Sequence, residues 1–300
     1  MVHSILVVDD NDAIRRSMHK FLEISKYNVS SVTSAEEAIK FLINNQVDVI
    51  ITDIMMGGMS GLELTEVINK NYDADVIIMT GYSSDYSYEE AISKGASDIV
   101  FKPVRFEELL LRLKRVLKER KLTKERSVML EELNKLAITD GLTQLYNARY
   151  FYDQLELEVD RYNRYNRSLS LLLLDLDHFK FYNDTNGHLE GDKVLVRIGQ
   201  VILSCLRKMD TAYRYGGEEF TVVLPETSCI EAEVVANRIR TSMENENFSP
   251  NNGEDVTITI SIGVTEYLKG EEISSFVERA DKAMYMSKDK GRNTVSTILT

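Results

Sequence analysis

The segment Asp210–Leu224, "DTAYRYGGEEFTVVL", decides how the second half of the chain is interpreted. Gly216 and Gly217 stand between stretches rich in Tyr, Val, Thr and Phe, which are typical of β-strands. A Gly-Gly pair between two strands predicts a tight hairpin turn. Two carboxylates, Glu218 and Glu219, follow at once. We infer that a large ligand lies against the bare backbone of this turn, where any Cβ would collide with it.

A second acidic segment is expected to meet this hairpin. In "LLLLDLDHFKFYNDTNGHLEGD", Asp175 and Asp177 stand two residues apart at the end of an apolar strand and so share a face. Asp175 is therefore predicted to approach Glu218 across neighbouring strands. Clustered carboxylates suit Mg²⁺ bound together with a substrate phosphate, with Mn²⁺ as an alternative.

Separate cations are also expected, because the chain has no P-loop to hold a triphosphate. The candidates are Lys180, Lys288 and Arg292. Each of these is equally typical of a solvent-facing helix end. Asn183 and Asp192 carry amide and carboxylate groups that can hydrogen-bond a guanine edge, although spacing alone does not settle this role.

The composition bounds the class of protein. A chain of 300 residues predicts two domains, at roughly 100–200 residues each. The net charge of −12 argues against nucleic-acid or membrane-surface partners, which require a basic face. Cys205 and Cys229 indicate free thiols in a reducing cytosol. With no apolar run near the ~18 residues of a membrane span and no signal-peptide pattern, we expect a cytoplasmic protein.

The first half, residues 1–117, alternates short apolar runs with helical patterns. The runs "SILVVDD", "VDVIITDI", "ADVIIMTG" and "SDIVFKP" are typical of buried strands. The alternation predicts an α/β domain with a doubly wound, five-stranded parallel sheet. Ligands of such folds bind at the carboxyl ends of the strands.

Five polar residues fall at those carboxyl ends. They are Asp9, Asp10, Asp53, Thr80 and Lys102. Three carboxylates at one edge predict a Mg²⁺ site. Asp53 is the candidate nucleophile, because carboxylates form aspartyl-phosphates, and Thr80 and Lys102 can hydrogen-bond the phosphoryl oxygens. Each residue alone fits an ordinary strand end, whereas the five in this order favour a phosphate-accepting site.

Residues 106–139 form one long helical pattern without Gly or Pro. The segment is either a solvated linker helix or a coiled-coil stalk between two protomers, and we hypothesise a stalk that shifts register. Two heptad registers compete, and neither is apolar throughout. One passes through Leu113, Val116, Arg120, Thr123, Ser127, Leu130, Asn134 and Ala137. The other passes through Leu122, Arg126, Met129, Leu133 and Leu136.

The first half resembles the receiver domain of bacterial response regulators over nearly its full length. The resemblance implies that Asp53 is the phosphoacceptor, that the two aspartates ending the first strand are metal ligands, and that Thr80 and Lys102 are switch residues. A histidine kinase or a small phosphodonor would supply the phosphoryl group. Gly57 departs from the usual Pro, and Ile99 stands where an aromatic switch residue is common.

The second half, residues 140–300, resembles a GGDEF-domain diguanylate cyclase. The resemblance is carried by "RYGGEEF", "DLDHFKFYNDTNGHLEGD", "TISIGV" and "ADKAMYMSKDKGRN". It implies a palm-like α/β fold related to nucleotide cyclases, and condensation of two GTP into cyclic di-GMP with release of two pyrophosphates. Two facing active sites are needed, which implies a homodimer. The motif "TDGLTQLYNARYF" departs from the family at Gln144 and Ala148, away from the chemistry.

The cyclase resemblance also implies roles for individual residues. Asp175, the carbonyl of Leu176 and Glu218 would coordinate Mg²⁺. Glu218 would also assist deprotonation of the attacking 3′-hydroxyl, with Glu219 beside it, and Lys180 would stabilise the transition state. The implied substrate-binding residues are Asn183, His188, Asp192, Gly216, Gly217, Lys288 and Arg292. An aspartate at position 192 favours guanine in both halves of the product, because some relatives that make mixed cyclic dinucleotides have a small polar residue there.

An inhibitory product site is implied by "RKMD", Arg207–Asp210, which precedes the GGEEF motif by the family's five-residue gap. The Arg207 guanidinium can bind a guanine edge or a phosphate bidentately, and Asp210 can accept from a guanine N–H. Arg238, on the next helix, is assigned to the same site. The alternative is an ordinary surface ion pair between residues three apart.

The sequence thus predicts a diguanylate cyclase activated by phosphorylation of Asp53 and inhibited by its own product. A degenerate cyclase domain that acts as a cyclic di-GMP receptor is the alternative from another class, against which the intact acidic set and Lys180 weigh. A cyclase of mixed nucleotide specificity is a further alternative. A DNA-binding regulator is disfavoured, because no basic recognition helix follows the first domain.

Overall fold

The computed structural model describes residues 2–81, 88–250 and 255–299. The chain divides into two compact units, Met1–Leu130 and Glu131–Thr300. Each is an α/β unit with its own apolar cores, which confirms the predicted fold class. In the described part of the chain, no helix combines the length and the apolar character needed to cross a membrane.

The first unit is a regular alternation of strands and helices. Its elements are β1 (Ser4–Val8), α1 (Asp12–Ile24), β2 (Asn28–Val32), α2 (Ala35–Leu42), β3 (Val49–Asp53), α3 (Gly61–Asn71), β4 (Asp75–Gly81), α4 (Tyr88–Ser93) and β5 (Asp98–Lys102). The strands are parallel in the order β2-β1-β3-β4-β5. The inner strands β1 and β3 are almost wholly buried because helices cover both faces of the sheet. The carboxyl ends of β1, β3, β4 and β5 therefore share one edge.

Helix α5 (Phe106–Ile138) begins in the first unit and uses one face to pack on its sheet. Leu113 and Val116 are buried in the core there. Arg120 forms ion pairs with Asp73 at 2.8 Å and with Asp75 at 3.0 Å. The first three positions of the first heptad register therefore contact the chain's own sheet.

The second heptad register of α5 is exposed. The side chains of Leu122, Met129, Leu133 and Leu136 are 53%, 64%, 55% and 73% exposed. An apolar row at this spacing favours contact with another helix. Beyond Arg120 the remaining positions of the first register are exposed as well, among them Leu130 at 49%, so exposure leaves both registers available for a stalk along this part of the helix.

The second unit is built on a six-stranded mixed sheet. Its elements are β6 (Tyr146–Asn147), α6 (Ala148–Tyr165), β7 (Leu169–Leu176), α7 (Phe179–Asn186), α8 (His188–Ser204), β8 (Thr211–Arg214), β9 (Glu219–Pro225), α9 (Cys229–Glu244), β10 (Ile260–Glu266), α10 (Ile273–Asp289) and β11 (Val295–Ile298). The strand order is β11-β10-β7-β9-β8-β6. The central strand β7 runs antiparallel to both β9 and β10, and all eight of its residues are buried.

One element of the second unit differs from the sequence-based expectation. The predicted strand "LSLLLLDLDHF" ends at Leu176, because His178 adopts a left-handed conformation with φ of 59° and α7 begins at Phe179. No Gly or Pro marks this turn, so the pattern did not predict α7 as a separate helix. The consequence is that Lys180 and Asn183 lie on a helix that follows the acidic strand directly.

The close approach of α10 to β10 gives a first prediction. A Cβ on Gly263 would lie 2.2 Å from both the Ala280 carbonyl oxygen and the Met284 nitrogen, which are backbone atoms of α10. We expect Gly263→Ala to lower the free energy of unfolding by about 3 kcal/mol, because the helix must move off the sheet. Urea denaturation of the full chain measures this loss.

The matched control is Gly199→Ala in α8. There the nearest atom to an added Cβ is the Thr143 carbonyl oxygen at 3.3 Å, so a small local adjustment suffices. Equal stability of the two variants would contradict the interpretation of Gly263.

Candidate functional site

The glycine turn joins β8 to β9 as the sequence predicts. The backbone N–H groups of Tyr215 and Gly216 both donate to the Glu219 carbonyl, at 2.8 and 3.1 Å. A Cβ on Gly216 would lie 2.6 Å from Glu219 Oε2, whereas a Cβ on Gly217 would have no described atom within 4 Å. Gly216 therefore makes room for a neighbouring carboxylate, and Gly217 leaves open space above the turn.

Strand β7 brings Asp175 to this turn. The register places Asp175 directly across from Glu219. The N–H of Leu176 donates to the Glu218 carbonyl at 3.3 Å. The predicted approach of Asp175 to the hairpin carboxylates is thus present, with Glu219 as the direct cross-strand neighbour and Glu218 one residue before it.

The electrostatics of this acidic cluster favour a cation. Burial raises the pKa of Asp175, and the ion pair with Lys288, whose Nζ lies 2.8 Å from Asp175 Oδ2, offsets part of this rise. Burial and then the charge of Asp175 raise the pKa of Glu218. The same two causes, together with Asp281, raise the pKa of Glu219. Three carboxylates with raised pKa values at one strand edge gain stability from any positive charge placed among them.

The donor set fits a hard divalent cation. Asp175 and Glu218 offer carboxylate oxygens, and Leu176 offers a carbonyl oxygen one residue along β7. Mg²⁺ prefers oxygen ligands of this kind. Lys288 already places a positive charge on Asp175, so the site accepts a cation at that oxygen.

Helices α7 and α8 pack against each other beside the acidic strand. On α7, the Lys180 side chain is exposed and Asn183 is half-buried. On α8, His188 is exposed and Asp192 is half-buried. The structure therefore places the predicted guanine-recognition residues on two helices in contact, next to the strand that carries Asp175.

Asp177, just after the end of β7, has different hydrogen-bond partners from Asp175. Its carboxylate accepts hydrogen bonds from Thr259 Oγ1 and Ser261 Oγ at 2.7 Å each, and from the Asn293 N–H at 3.0 Å. The loop that carries Arg292, another predicted phosphate-binding residue, is therefore fixed to the end of β7. Because its oxygens already have three donors, Asp177 acts as a structural group rather than as a free ligand.

The sequence interpretation missed Arg214, which supports the glycine turn. Its guanidinium contacts the Asp140 carboxylate at 3.1 and 3.2 Å and donates to the Gly217 carbonyl at 2.8 Å. Although burial acts in the opposite direction, hydrogen bonds from Thr143 and Arg214 hold the pKa of Asp140 below its ordinary value. The turn is thus anchored to Asp140, which lies two residues after the end of α5 at Ile138.

The predicted inhibitory site lies between α8 and β8. Asp210 accepts a hydrogen bond from the backbone N–H of Arg207 at 2.8 Å. The Arg207 side chain is exposed, and it forms no ion pair with Asp210 in the described part of the chain. Arg238 donates to the carbonyl of Cys205, near the end of α8. The guanidinium of Arg207 is therefore not held in the surface ion pair that was the alternative interpretation.

The first unit carries a second acidic site at its sheet edge. Carboxylate oxygens of Asp9, Asp10 and Asp53 lie within 4.8 Å of one another, a spacing that allows one metal ion to bind all three. Lys102 Nζ lies 2.7 Å from Asp53 Oδ2 and 3.4 Å from Asp9 Oδ2. Burial raises the pKa of Asp9. Thr80 is buried at the end of the adjacent strand β4, so the structure brings all five predicted residues to one edge.

The two departures from the receiver pattern lie on β5, three residues before Lys102, and in the loop after Asp53. Ile99 is buried in a core cluster, while Phe101, two residues later on β5, is 40% exposed. A Cβ on Gly57, four residues after Asp53, would have no described atom within 4 Å, so this position has space for a larger residue.

These two units define the class of protein. A family model described as "Diguanylate cyclase, GGDEF domain" matches residues 137–294, and one described as "Response regulator receiver domain" matches residues 5–114. The chain belongs to the GGDEF-domain family, with a receiver domain before the GGDEF domain.

Individual relatives agree with this assignment. The chain is 32% identical over 296 residues to "Response regulator PleD" of Caulobacter vibrioides. This match covers 97% of this chain and 65% of that protein. It is 44% identical over 169 residues to "Diguanylate cyclase A" of Treponema denticola, and this match covers 55% of this chain and 45% of that protein. The chain thus spans less than two thirds of the length of these relatives.

A solved structure matches the second half. It is described as the coiled coil and GGDEF domain of DgcB from Caulobacter crescentus in complex with c-di-GMP. The TM-score is 0.58 at 34% identity, and the match covers 63% of this chain and 99% of that chain.

Proposed function

We propose that this protein is a diguanylate cyclase, which condenses two molecules of GTP into cyclic di-GMP and releases two molecules of pyrophosphate. The convergence of Asp175, Glu218 and Lys288 beside the open space at Gly217 carries the proposal. In each half of the reaction, the 3′-hydroxyl of one GTP attacks the α-phosphorus of the other and pyrophosphate leaves. Membership of the GGDEF family supports the same reaction.

The acidic residues would bind the cation, and one of them assists removal of the proton from the attacking 3′-hydroxyl. Asp175, the carbonyl of Leu176 and Glu218 would hold Mg²⁺, with Mn²⁺ as an alternative, and the ion would supply charge neutralisation and polarisation of the phosphate. Glu218 also assists removal of the 3′-hydroxyl proton. A carboxylate at this position can accept a proton from a hydroxyl bound beside the cation. Glu219 adds negative charge beside it.

The surrounding cations bind the triphosphate. Lys180 stabilises charge that develops in the transition state, and Lys288 and Arg292 bind phosphate oxygens. Lys288 forms an ion pair with Asp175, so its ammonium group already lies inside the site. A rotation of the Lys288 side chain would bring this group to a phosphate oxygen.

The residues that recognise the guanine base lie on α7 and α8, beside the acidic strand. Asn183 and Asp192 hydrogen-bond guanine, and His188 belongs to the same binding segment. The carboxylate of Asp192 accepts from guanine N–H groups, which adenine does not present in the same arrangement. We therefore assign GTP, rather than a mixture of GTP and ATP, as the substrate.

The reaction requires two copies of the chain. Each active site holds one GTP, and a homodimer with two-fold symmetry brings two sites face to face.

Phosphorylation of Asp53 by a histidine kinase or a small phosphodonor changes the packing of the receiver domains. Helix α5 carries the change along its exposed part beyond Arg120, where positions of both heptad registers are exposed. Because GTP and these phosphodonors are made in the cytoplasm, we place the enzyme there.

The experiment that tests the proposed function is product analysis. Purified full chain is incubated with GTP and Mg²⁺, and cyclic di-GMP and pyrophosphate are quantified. We expect two pyrophosphates for each cyclic dinucleotide, and ATP in competition should enter the product poorly. Binding of cyclic di-GMP without release of pyrophosphate would instead identify a receptor.

Product inhibition gives a separate prediction. We expect Arg207→Ala to raise the inhibitory concentration of cyclic di-GMP by at least about tenfold, because a charged, bidentate hydrogen bond is lost, while the initial rate stays within about twofold. Initial rates at increasing product concentration measure this change. Lys208→Ala, an exposed cation next in sequence, is the matched control. Unchanged inhibition in Arg207→Ala would place the product elsewhere.

A further inference from the structure

The amide of Asn183 has an unusual environment. Its oxygen Oδ1 is buried and has no hydrogen-bond partner among the residues that the structure describes. Buried polar atoms are nearly always hydrogen-bonded, so an unpaired one requires a reason. The proposed function makes Asn183 a guanine-recognition residue, and the orientation of its amide therefore bears on substrate binding.

Gly191, on α8, accounts for the position of this amide. A Cβ built on Gly191 would lie 1.7 Å from Oδ1 and 2.8 Å from Cγ of Asn183. Both distances are far shorter than a van der Waals contact. The missing side chain of Gly191 leaves a space in the surface of α8, here called the Gly191 notch, and the carbonyl end of the Asn183 amide occupies it.

Backbone conformation does not explain this glycine. Gly191 lies inside α8, where any L-residue adopts the same helical φ and ψ angles. A glycine inside a helix is less favourable than alanine, because it loses more conformational freedom on folding. Space for the neighbouring side chain is the structural reason that remains.

We propose that Gly191 is a positioning residue for guanine recognition. The Gly191 notch holds the carbonyl end of the Asn183 amide against α8. Because the amide is planar, its NH₂ group is then directed to the other side of Cγ, where it can donate to an acceptor on the purine base. This inference rests on the proposed function, since it assumes that Asn183 contacts the substrate.

A substitution at the notch should move the amide without disrupting the fold. The two shortest distances from an added Cβ are to the end of the Asn183 side chain, which can rotate, and the next is 3.2 Å to Phe179 Cζ. Gly191→Ala should therefore displace the amide while α7 and α8 remain packed. The loss is expected in substrate affinity rather than in the chemical step.

The experiment is a double-mutant cycle on the full chain. The affinity for a non-hydrolysable GTP analogue is measured by calorimetry for the unmodified protein, Gly191→Ala, Asn183→Ala and the double variant. We expect each single variant to bind about tenfold more weakly, and the double variant to bind no more weakly than Asn183→Ala. In turnover assays, KM for GTP should rise about tenfold in Gly191→Ala, with kcat within about twofold.

Gly199→Ala is the matched control, because it places a new Cβ on the same helix, where the nearest atom is a Thr143 carbonyl oxygen 3.3 Å away. It should bind the analogue with unchanged affinity. Melting temperatures of all variants show whether the fold is kept. If Gly191→Ala alone fails to fold, the double variant, which lacks the overlap, should fold and bind like Asn183→Ala.

Two results would overturn the inference while leaving the proposed function intact. One is unchanged affinity in Gly191→Ala, and the other is a double variant that binds more weakly than Asn183→Ala, as it would if the two losses added. Failure of the unmodified protein to bind the analogue or to form cyclic di-GMP would remove the proposed function and this inference with it.

Discussion

Replacement of Glu218 by glutamine is expected to reduce turnover of GTP by about 10³-fold. Glutamine keeps the shape of the side chain but removes its charge and its capacity to accept a proton. Glu218 stands at the glycine turn beside Asp175, and burial together with the charge of Asp175 raises its pKa. Both proposed roles, as a Mg²⁺ ligand and in assisting removal of the proton, are lost together, which is why the effect should be large.

Initial rates of pyrophosphate release at saturating GTP measure this loss. Glu226→Gln is the matched control, because Glu226 is an exposed glutamate at the far end of β9. Affinity for cyclic di-GMP at Arg207 and Asp210 should be unchanged in Glu218→Gln, which separates loss of chemistry from loss of fold. A variant with more than a tenth of the normal rate would show that Glu218 is not required.

The second large effect is expected at Asp53. In Asp53→Asn, stimulation of the cyclase by a small phosphodonor such as acetyl phosphate should disappear, while the basal rate remains. We expect stimulation of the unmodified protein of about tenfold, within the usual range of coupling between two sites. The reason is chemical: an amide oxygen does not form the acyl phosphate that Lys102, 2.7 Å away, is placed to stabilise.

The matched control is Asp12→Asn, an exposed carboxylate in the first turn of α1 close to the same sheet edge. It should respond to the phosphodonor normally. Incorporation of phosphate into the protein is measured in parallel. Stimulation that persists in Asp53→Asn would remove phosphorylation of this residue from the regulatory scheme, without affecting the proposed cyclase reaction.

The sequence predicts the architecture well because its buried strands are continuous apolar runs. β3 begins with the run VII at 49–51 and β7 contains the run LLLL at 171–174, and the aspartates near their carboxyl ends, Asp53 and Asp175, fall at one edge of each sheet. Both the acidic edge of the receiver domain and the acidic strand beside the glycine turn follow from this rule. Neither of these two predictions requires knowledge of side-chain conformation.

The parts that the sequence did not predict depend on local turns and distant pairs. Alternation places Asp175 and Asp177 on one face of a strand, but β7 ends at Leu176, and the two carboxylates then have different partners. Arg214 and Asp140 are 74 residues apart, and nothing in their spacing indicates that they meet. Such contacts follow from the three-dimensional arrangement of elements rather than from any periodic pattern.

The hydrogen bonds of Asn293 determine how far the chain can be shortened. Its N–H donates to the buried Asp177, and its side chain accepts from Arg240 at 2.9 Å and donates to Glu244 at 2.7 Å. Strand β11 then pairs with β10. Truncation before Asn293 would therefore leave a buried carboxylate short of a donor and expose the edge of the sheet. A minimal catalytic fragment must extend through β11.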